Sequence, residues 1–366
     1  MKIKRNARNS KIRDMEGKHL FGSSFEEKKT LEYLSNLINS KFLSNMPVNL
    51  FGFSRKILGM KIIISSLRRL FPEIVSNKEF DEWIKHDQLD VKIPGNILIN
   101  FLRGTIAPLL NKKRNKQPLS LDSDIEARLN VIKETFNLTS DDIEILSCFY
   151  LFSTNDLFKD FLDNNKHANF QRFSVFKSFG HIILGYERRS FLHALSKTRL
   201  FKMYILEKEY RGEIEPCTWC MDYLSGYGVK DLSHEFFTKE NEESLQISDF
   251  SVSENEKIVL KTLIKSKERQ NILFYGVPGT GKSSFARCLA RAYKKDLYTV
   301  KIPEDDLHEF RLRNIYATIN IAEKKKAIVL IDEADEVLNS CNSFFYKGKT
   351  NKSFINNLLD SHQKKL

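Results

Sequence analysis

Apolar residues recur with helical spacing through most of the first two thirds of the chain. In FEEKKTLEYLSNLI, residues 25–38, Leu31, Leu34 and Ile38 share one face, and in MKIIISSLRRLF, residues 60–71, Ile63, Leu67 and Leu70 do the same. Such spacing predicts helices with one buried stripe. Residues 1–20 lack any apolar period and read as a basic, flexible tail ahead of a small helical region over 21–117. The polar, charged run KKRNKQPLSLDSD, 112–124, is interrupted by Pro118 and predicts a linker. Beyond it, LTSDDIEILSCFYLF sets Thr139 and Asp142 at capping-box spacing and then Ile143, Leu146, Phe149 and Tyr150 on one face, which predicts a further helix.

The next stretch reads SVFKSFGHIIL, a break at Gly185, ERRSFLHALSKT and the β-prone run RLFKMYILEKE. Helix, turn, helix, strand is similar to a winged helix, so 118–240 is expected to be a helical, winged-helix-like domain. Such modules bind DNA but also serve as plain protein-contact domains, and the contact role is the one favoured for this sequence. The polar segment Thr238–Ser253 marks the next boundary. After the helix predicted in ENEKIVLKTLIKSK, the pattern changes to strand, glycine loop, helix and strand.

Composition leaves this picture intact. Of 366 residues, 41% are hydrophobic and 29% charged, an ordinary globular balance. The formal charge of +12 gathers partly in MKIKRNARNSKIRDMEGK, in RRLF and in NKKRNK. These runs suit phosphate backbones or acidic partners, although a solvated basic face is the commoner origin. Five cysteines form no disulfide framework, and only Cys217 and Cys220 lie close together. A second CxxC or a histidine pair is lacking for a zinc set, and a reducing cytoplasm is the expected location. His181 and His193 read as packing or surface residues. No apolar run approaches the roughly 18 residues of a membrane span, and no signal-peptide core follows the N-terminus, so neither insertion nor export is expected.

The chemistry concentrates in the last quarter. Ile272–Tyr275 predicts a short strand, SFARCLARAY a helix, and between them Gly276-Val277-Pro278-Gly279-Thr280-Gly281-Lys282-Ser283 fits GxxxxGK[ST] at every fixed position. Glycines let the backbone wrap a phosphate and point N–H groups at its oxygens, and the helix start adds its positive dipole end. Residues Gly276 to Ser284 are therefore the expected nucleotide cradle. Lys282 is placed to span the β- and γ-phosphates, and the Ser283 hydroxyl to ligate Mg²⁺. Hydrolysis also needs carboxylates. Ala327–Ile331 is a continuous apolar run, as a strand buried on both faces should be, and ends in Asp332-Glu333-Ala334-Asp335. Acids at that strand end lie at the same sheet edge as the loop. Asp332 is expected to hold Mg²⁺ through its water shell, and Glu333 to orient and deprotonate water.

GVPGTGKS and IVLIDEAD resemble the Walker A and Walker B motifs of AAA+ ATPases, over roughly residues 246–366. The resemblance implies an α/β P-loop NTPase fold, a parallel sheet with flanking helices in strand order 5-1-4-3-2, preceded here by mainly helical domains. It implies ATP and Mg²⁺ as ligands, homo-oligomers of the full-length form, and a protein or nucleoprotein partner that is remodelled. It also places Phe250 and Val252 near the adenine and makes LYTVKI, 297–302, the second strand. PEDDLHEFRLRNIY lacks the aromatic-hydrophobic-glycine pore loop of remodelling members, which weakens a threading role; NSCNSFFYKGKTNK, 339–352, is an alternative substrate-facing loop. KSFINNLLDSHQKKL, 352–366, is expected to be the helix leading to a fourth strand. Sensor residue, arginine finger and lid are then missing from a partial domain over 241–366, so nucleotide binding without turnover is expected of this chain. An arginine finger is worth on the order of 10³ to 10⁵ in rate. Two other functional classes stay open: a DNA-associated ATPase held by its basic tail and winged-helix-like part, and a noncatalytic protein-contact adaptor.

Overall fold

The computed structural model describes residues 21, 23–70, 94–116, 124–163, 169–209, 212–227, 230–240, 245–266, 268–302 and 308–334. The basic tail, Asp335, the 339–352 loop and the 352–366 helix expected from sequence lie outside these residues. The chain forms two compact units: one of Met1–Asn130, Thr139–Phe201 and Ile205–Ser225, the other of Val131–Leu138, Lys202–Tyr204 and Gly226–Leu366.

The first unit is helical. Helices α1 (Ser24–Asn39), α2 (Pro47–Leu58) and α3 (Met60–Leu70) precede α4 (Gly95–Phe101), which runs through a π-helical stretch, Leu102–Ile106, into α5 (Ala107–Lys116). The linker expected over 112–124 is therefore helical as far as Lys116. The rest of that run, 117–123 with Pro118, lies outside the described residues. In α1, Leu31, Leu34 and Ile38 are buried as their spacing requires, and the Ser23 hydroxyl caps the helix by accepting from the Glu26 N–H.

Next come α6 (Asp124–Phe136), α7 (Ser140–Thr154) and α8 (Asp156–Asp163). Helix α7 opens with the expected Thr139–Asp142 capping box, but it is buried on every side from Ile145 to Phe152 rather than along one face. Glu144 on its first turns accepts from both Lys29 Nζ and Tyr33 Oη, which ties α7 to α1. Burial, followed by the nearby Cys148 and Glu144, raises the Tyr33 phenol well above its ordinary value.

Helices α9 (Phe173–Leu184) and α10 (Arg188–Lys197) meet at Gly185, whose φ of 70° ends α9 in the left-handed conformation. A two-stranded antiparallel hairpin follows, β1 (Leu206–Lys208) with β2 (Ile214–Pro216), and then α11 (Thr218–Ser225). Only Leu206–Lys208 of the β-prone run is a strand. Residues 200–204 form turns instead, anchored by buried Leu200 and Met203. Cys217 and Cys220 are buried at the start of α11, and the described residues contain no group of three His, Cys, Asp or Glu placed to hold a metal.

The second unit contains α12 (Ser233–Phe236), β3 (Phe237–Glu240), α13 (Glu254–Lys265), α14 (Lys282–Ala292), β4 (Leu297–Val300), α15 (His308–Lys325) and β5 (Ile328–Leu330). The end of α6 belongs here too, with the Thr135 carbonyl accepting from Asn320 on α15. The sheet order is β3-β4-β5. Strands β4 and β5 are parallel, with Leu297 beside Ile328 and Thr299 beside Leu330, and α15 is their crossover. The expected all-parallel sheet is thus only part of the arrangement. Strand β3 pairs antiparallel with β4, Phe237 beside Val300 and Glu240 beside Leu297, and Phe237 stacks on Tyr298 at 4.2 Å. Its residues open the segment that looked like a plain polar boundary, because FTKE carries a single large apolar side chain.

Two further differences concern the strands that carry the motifs. Strand β5 is half-exposed along its length rather than buried on both faces. Ile272–Tyr275 makes no ladder with any described strand, and Leu273 and Tyr275 are 68% and 90% exposed. Apolar sequence alone does not make a strand, since the backbone N–H and C=O groups need a neighbouring chain. Helix α15 packs Ile315 and Ile319 on Val300 with Val329 and Ile331. A second cluster joins Leu260 of α13 to Phe285 and Leu289 of α14.

Candidate functional site

Three glycines shape the turn between Ile272–Tyr275 and α14. Gly276, Gly279 and Gly281 have φ values of 149°, 81° and 80°, a region costly for residues bearing a Cβ. Space at Gly281 is also tight, because a Cβ would stand 3.1 Å from the Phe250 ring, which would have to give by a few tenths of an ångström. Phe250 and Val252, expected near the adenine, pack in the cluster around Phe285, with the Phe250 and Phe285 rings 5.1 Å apart. Gly281 is the N-cap of α14, which places Lys282, Ser283 and Ser284 in its first turn. Their N–H groups lack intrahelical acceptors and present the positive end of the helix dipole at the loop.

Side chains brace the loop from within. Thr280 Oγ1 donates to the Val277 carbonyl at 2.9 Å. Lys282 folds across it, its ammonium donating to the carbonyls of Gly276 at 3.1 Å and Val277 at 2.9 Å. Val277, Pro278 and Gly279 are exposed at the tip. A phosphate entering here exchanges neutral carbonyls for charged oxygens as acceptors of Lys282, and charge-assisted bonds are the stronger kind.

The second motif meets the first through one hydrogen bond. Ser283 Oγ donates to Asp332 Oδ2 at 2.8 Å, joining the start of α14 to the turn after β5. The other carboxylate oxygen of Asp332 accepts from the Glu333 N–H at 3.1 Å. Glu333 itself has φ of 48° and is exposed, so the predicted base sits on a turn held in a conformation that is strained for a residue with a side chain. A hydroxyl and a carboxylate meeting at one point are hard oxygen donors, the kind Mg²⁺ accepts alongside water and phosphate. The residues present therefore fit that ion.

Two contacts around this site carry no sequence signature. Arg311 on α15 is 4% exposed and donates to the backbone carbonyls of Asp332, at 2.5 Å, and Glu333, at 2.9 Å. Arg287 on α14 pairs with Glu240 at the end of β3. Burial disfavours the charged Glu240 carboxylate, but the Arg287 hydrogen bond, the Thr299 hydroxyl and the Arg287 charge outweigh it and hold its pKa below the usual carboxylate range.

The family described as "ATPase family associated with various cellular activities (AAA)" matches residues 272–365. Residues 272–365 thus match an ATPase domain of the AAA type, and the match supports a P-loop ATPase of the AAA+ family. Among curated proteins, the chain is similar to the peroxisomal ATPase PEX6 of Yarrowia lipolytica, 36% identical over 76 residues, and to that of Saccharomyces cerevisiae, 34% identical over 76 residues. Each match covers 19% of this chain and 7% of the relative's length. PEX6 of Neurospora crassa is 36% identical over the same length, again 19% of this chain and 5% of the relative. No solved structure gives a significant match. ATPases of this family bind ATP, typically with Mg²⁺. No helix among the described residues is long and apolar enough to cross a membrane.

Proposed function

We propose that the AAA region binds Mg-ATP between the loop at 276–284 and the turn at 332–333, and couples nucleotide binding and hydrolysis to remodelling of a protein or nucleoprotein partner. The Ser283–Asp332 hydrogen bond supports this reading most directly, since it puts the phosphate-loop hydroxyl and the strand-end carboxylate at one point. Lys282 and the first amides of α14 bind the β- and γ-phosphates. Ser283 and Asp332 would hold the metal, which would supply neutralisation of the phosphate charge. Glu333 orients a water and takes its proton on the carboxylate.

Turnover by the 366-residue chain alone is proposed to be low. All four arginines on the two helices beside the site are tied to the protein's own groups: Arg287 to Glu240, Arg291 to the Leu245 carbonyl, Arg311 to two carbonyls and Arg313 to Glu235. Among the described residues of these helices that leaves Lys282 as the side-chain cation at the loop, without the further arginine that is worth on the order of 10³ to 10⁵ in rate.

Coupling has a physical route. Helix α14 begins at the phosphate loop and carries Arg287, whose partner Glu240 closes strand β3, so a shift of the helix start is felt at the chain segment leading into the AAA region. The helical unit, with its helix-turn-helix-hairpin order, is proposed as the partner-contact part, and the full-length form as a homo-oligomer. The test is calorimetric titration of Mg-ATP with a phosphate-release assay on the same sample. Saturable binding that Lys282→Ala weakens by about 10- to 100-fold or more, with little phosphate released, is expected. Absence of binding by the unaltered chain overturns the proposal, and brisk release overturns the low-turnover part.

A further inference from the structure

We infer that Arg311 is a positioning residue for the metal side of the nucleotide site, acting through the backbone of Asp332 and Glu333; this rests on reading the site as one for Mg-nucleotide. Arg311 lies 21 residues before Asp332, on the crossover helix rather than in either motif. Its guanidinium is buried, and one nitrogen, Nη2, serves both carbonyls of the acidic turn. Burying a guanidinium is costly unless strong acceptors compensate it. Here the acceptors are the two residues whose side chains carry the chemistry.

The geometry makes the contact consequential. Glu333 holds a left-handed backbone conformation that a residue with a Cβ adopts only when its surroundings impose it. Two bonds impose it: the Glu333 N–H to Asp332 Oδ1 from one side, and the Glu333 carbonyl to Arg311 from the other. With the carbonyls pinned, the Asp332 carboxylate turns its remaining oxygen to Ser283. Without Arg311 the turn relaxes, the aspartate loses its aim, and the metal loses a preorganised ligand. The phosphate loop is held by its own glycines, by Thr280 and by Phe250, so nucleotide contacts that need no metal do not depend on Arg311.

The experiment measures ADP affinity in Mg²⁺ and in EDTA for the unaltered chain, Arg311→Met and Arg311→Lys. The unaltered chain should bind more tightly with Mg²⁺. Arg311→Met should still bind in EDTA but lose about 10- to 100-fold of metal-dependent affinity, the range found when groups that orient metal ligands are removed. Arg311→Lys keeps the charge on a single nitrogen with different reach and should fall between the two. An unaltered Mg²⁺ gain in Arg311→Met overturns the inference, and if that variant does not fold, an unaltered gain in Arg311→Lys does so. Failure of the unaltered chain to bind ADP in either condition overturns the nucleotide reading itself and the inference with it.

Discussion

Ser283 and Asp332 are 49 residues apart in sequence, and their side chains meet at 2.8 Å. The serine arrives on the first turn of α14 and the aspartate on the turn after β5, so the contact depends on α14 lying against the strand that ends at Leu330. Between them in sequence lie a strand and a crossover helix, Leu297–Val300 and His308–Lys325. The two motifs thus meet through packing rather than through proximity in the chain.

Lys282 should govern nucleotide affinity while contributing little to stability. Its ammonium now bonds two exposed loop carbonyls, which water can replace. Hydrogen bonds to charged groups are worth roughly 1.5–3 kcal/mol, so Lys282→Ala should weaken ATP binding by about 10- to 100-fold or more. Its thermal midpoint without nucleotide should stay near that of the unaltered protein. A large fall in the midpoint would place Lys282 in the fold rather than in the site.

Gly281→Ala should impair both fold and binding. At φ of 80° an alanine costs about 1–2 kcal/mol in backbone strain, and its methyl would press on the Phe250 ring at 3.1 Å. Denaturant unfolding should show a loss of at least that size, and nucleotide titration a weaker affinity. Normal stability and normal affinity would mean that the loop adopts another conformation.

Glu240 predicts an acid sensitivity of the β3 attachment. Arg287 keeps the carboxyl ionised below its unfolded pKa despite partial burial. A depressed folded pKa gives stability that is present above the unfolded value and is lost as pH falls through the folded one. The unaltered chain should therefore lose more stability on acidification than Glu240→Gln, whose pH profile should be flatter. Parallel profiles would remove Glu240 from the account.

How much of this was legible in sequence depended on how local each cause was. The loop at 276–284 was readable because phosphate chemistry fixes residue types at neighbouring positions, and the Thr139–Asp142 cap because both partners sit within one turn. Asp332 was readable as the end of an apolar strand. Strand β3 was not, since its pairing with β4 joins residues about 60 apart and FTKE has no alternating apolar signal of its own. Arg311 looked like any arginine on a helix, and only its burial against two carbonyls sets it apart. Ile272–Tyr275 shows the converse: its side chains suggested a strand, but no described neighbour supplies the ladder.

The most direct test of the central claim is a double-mutant cycle on the Mg²⁺-dependent gain in ATP affinity, using Ser283→Ala, Asp332→Asn and both together. If the two side chains serve one metal, each single change should remove most of the gain and the pair should remove little more, the non-additivity expected of groups in contact. Full additivity of the two losses, or an Mg²⁺ gain that survives both changes, would contradict a shared site.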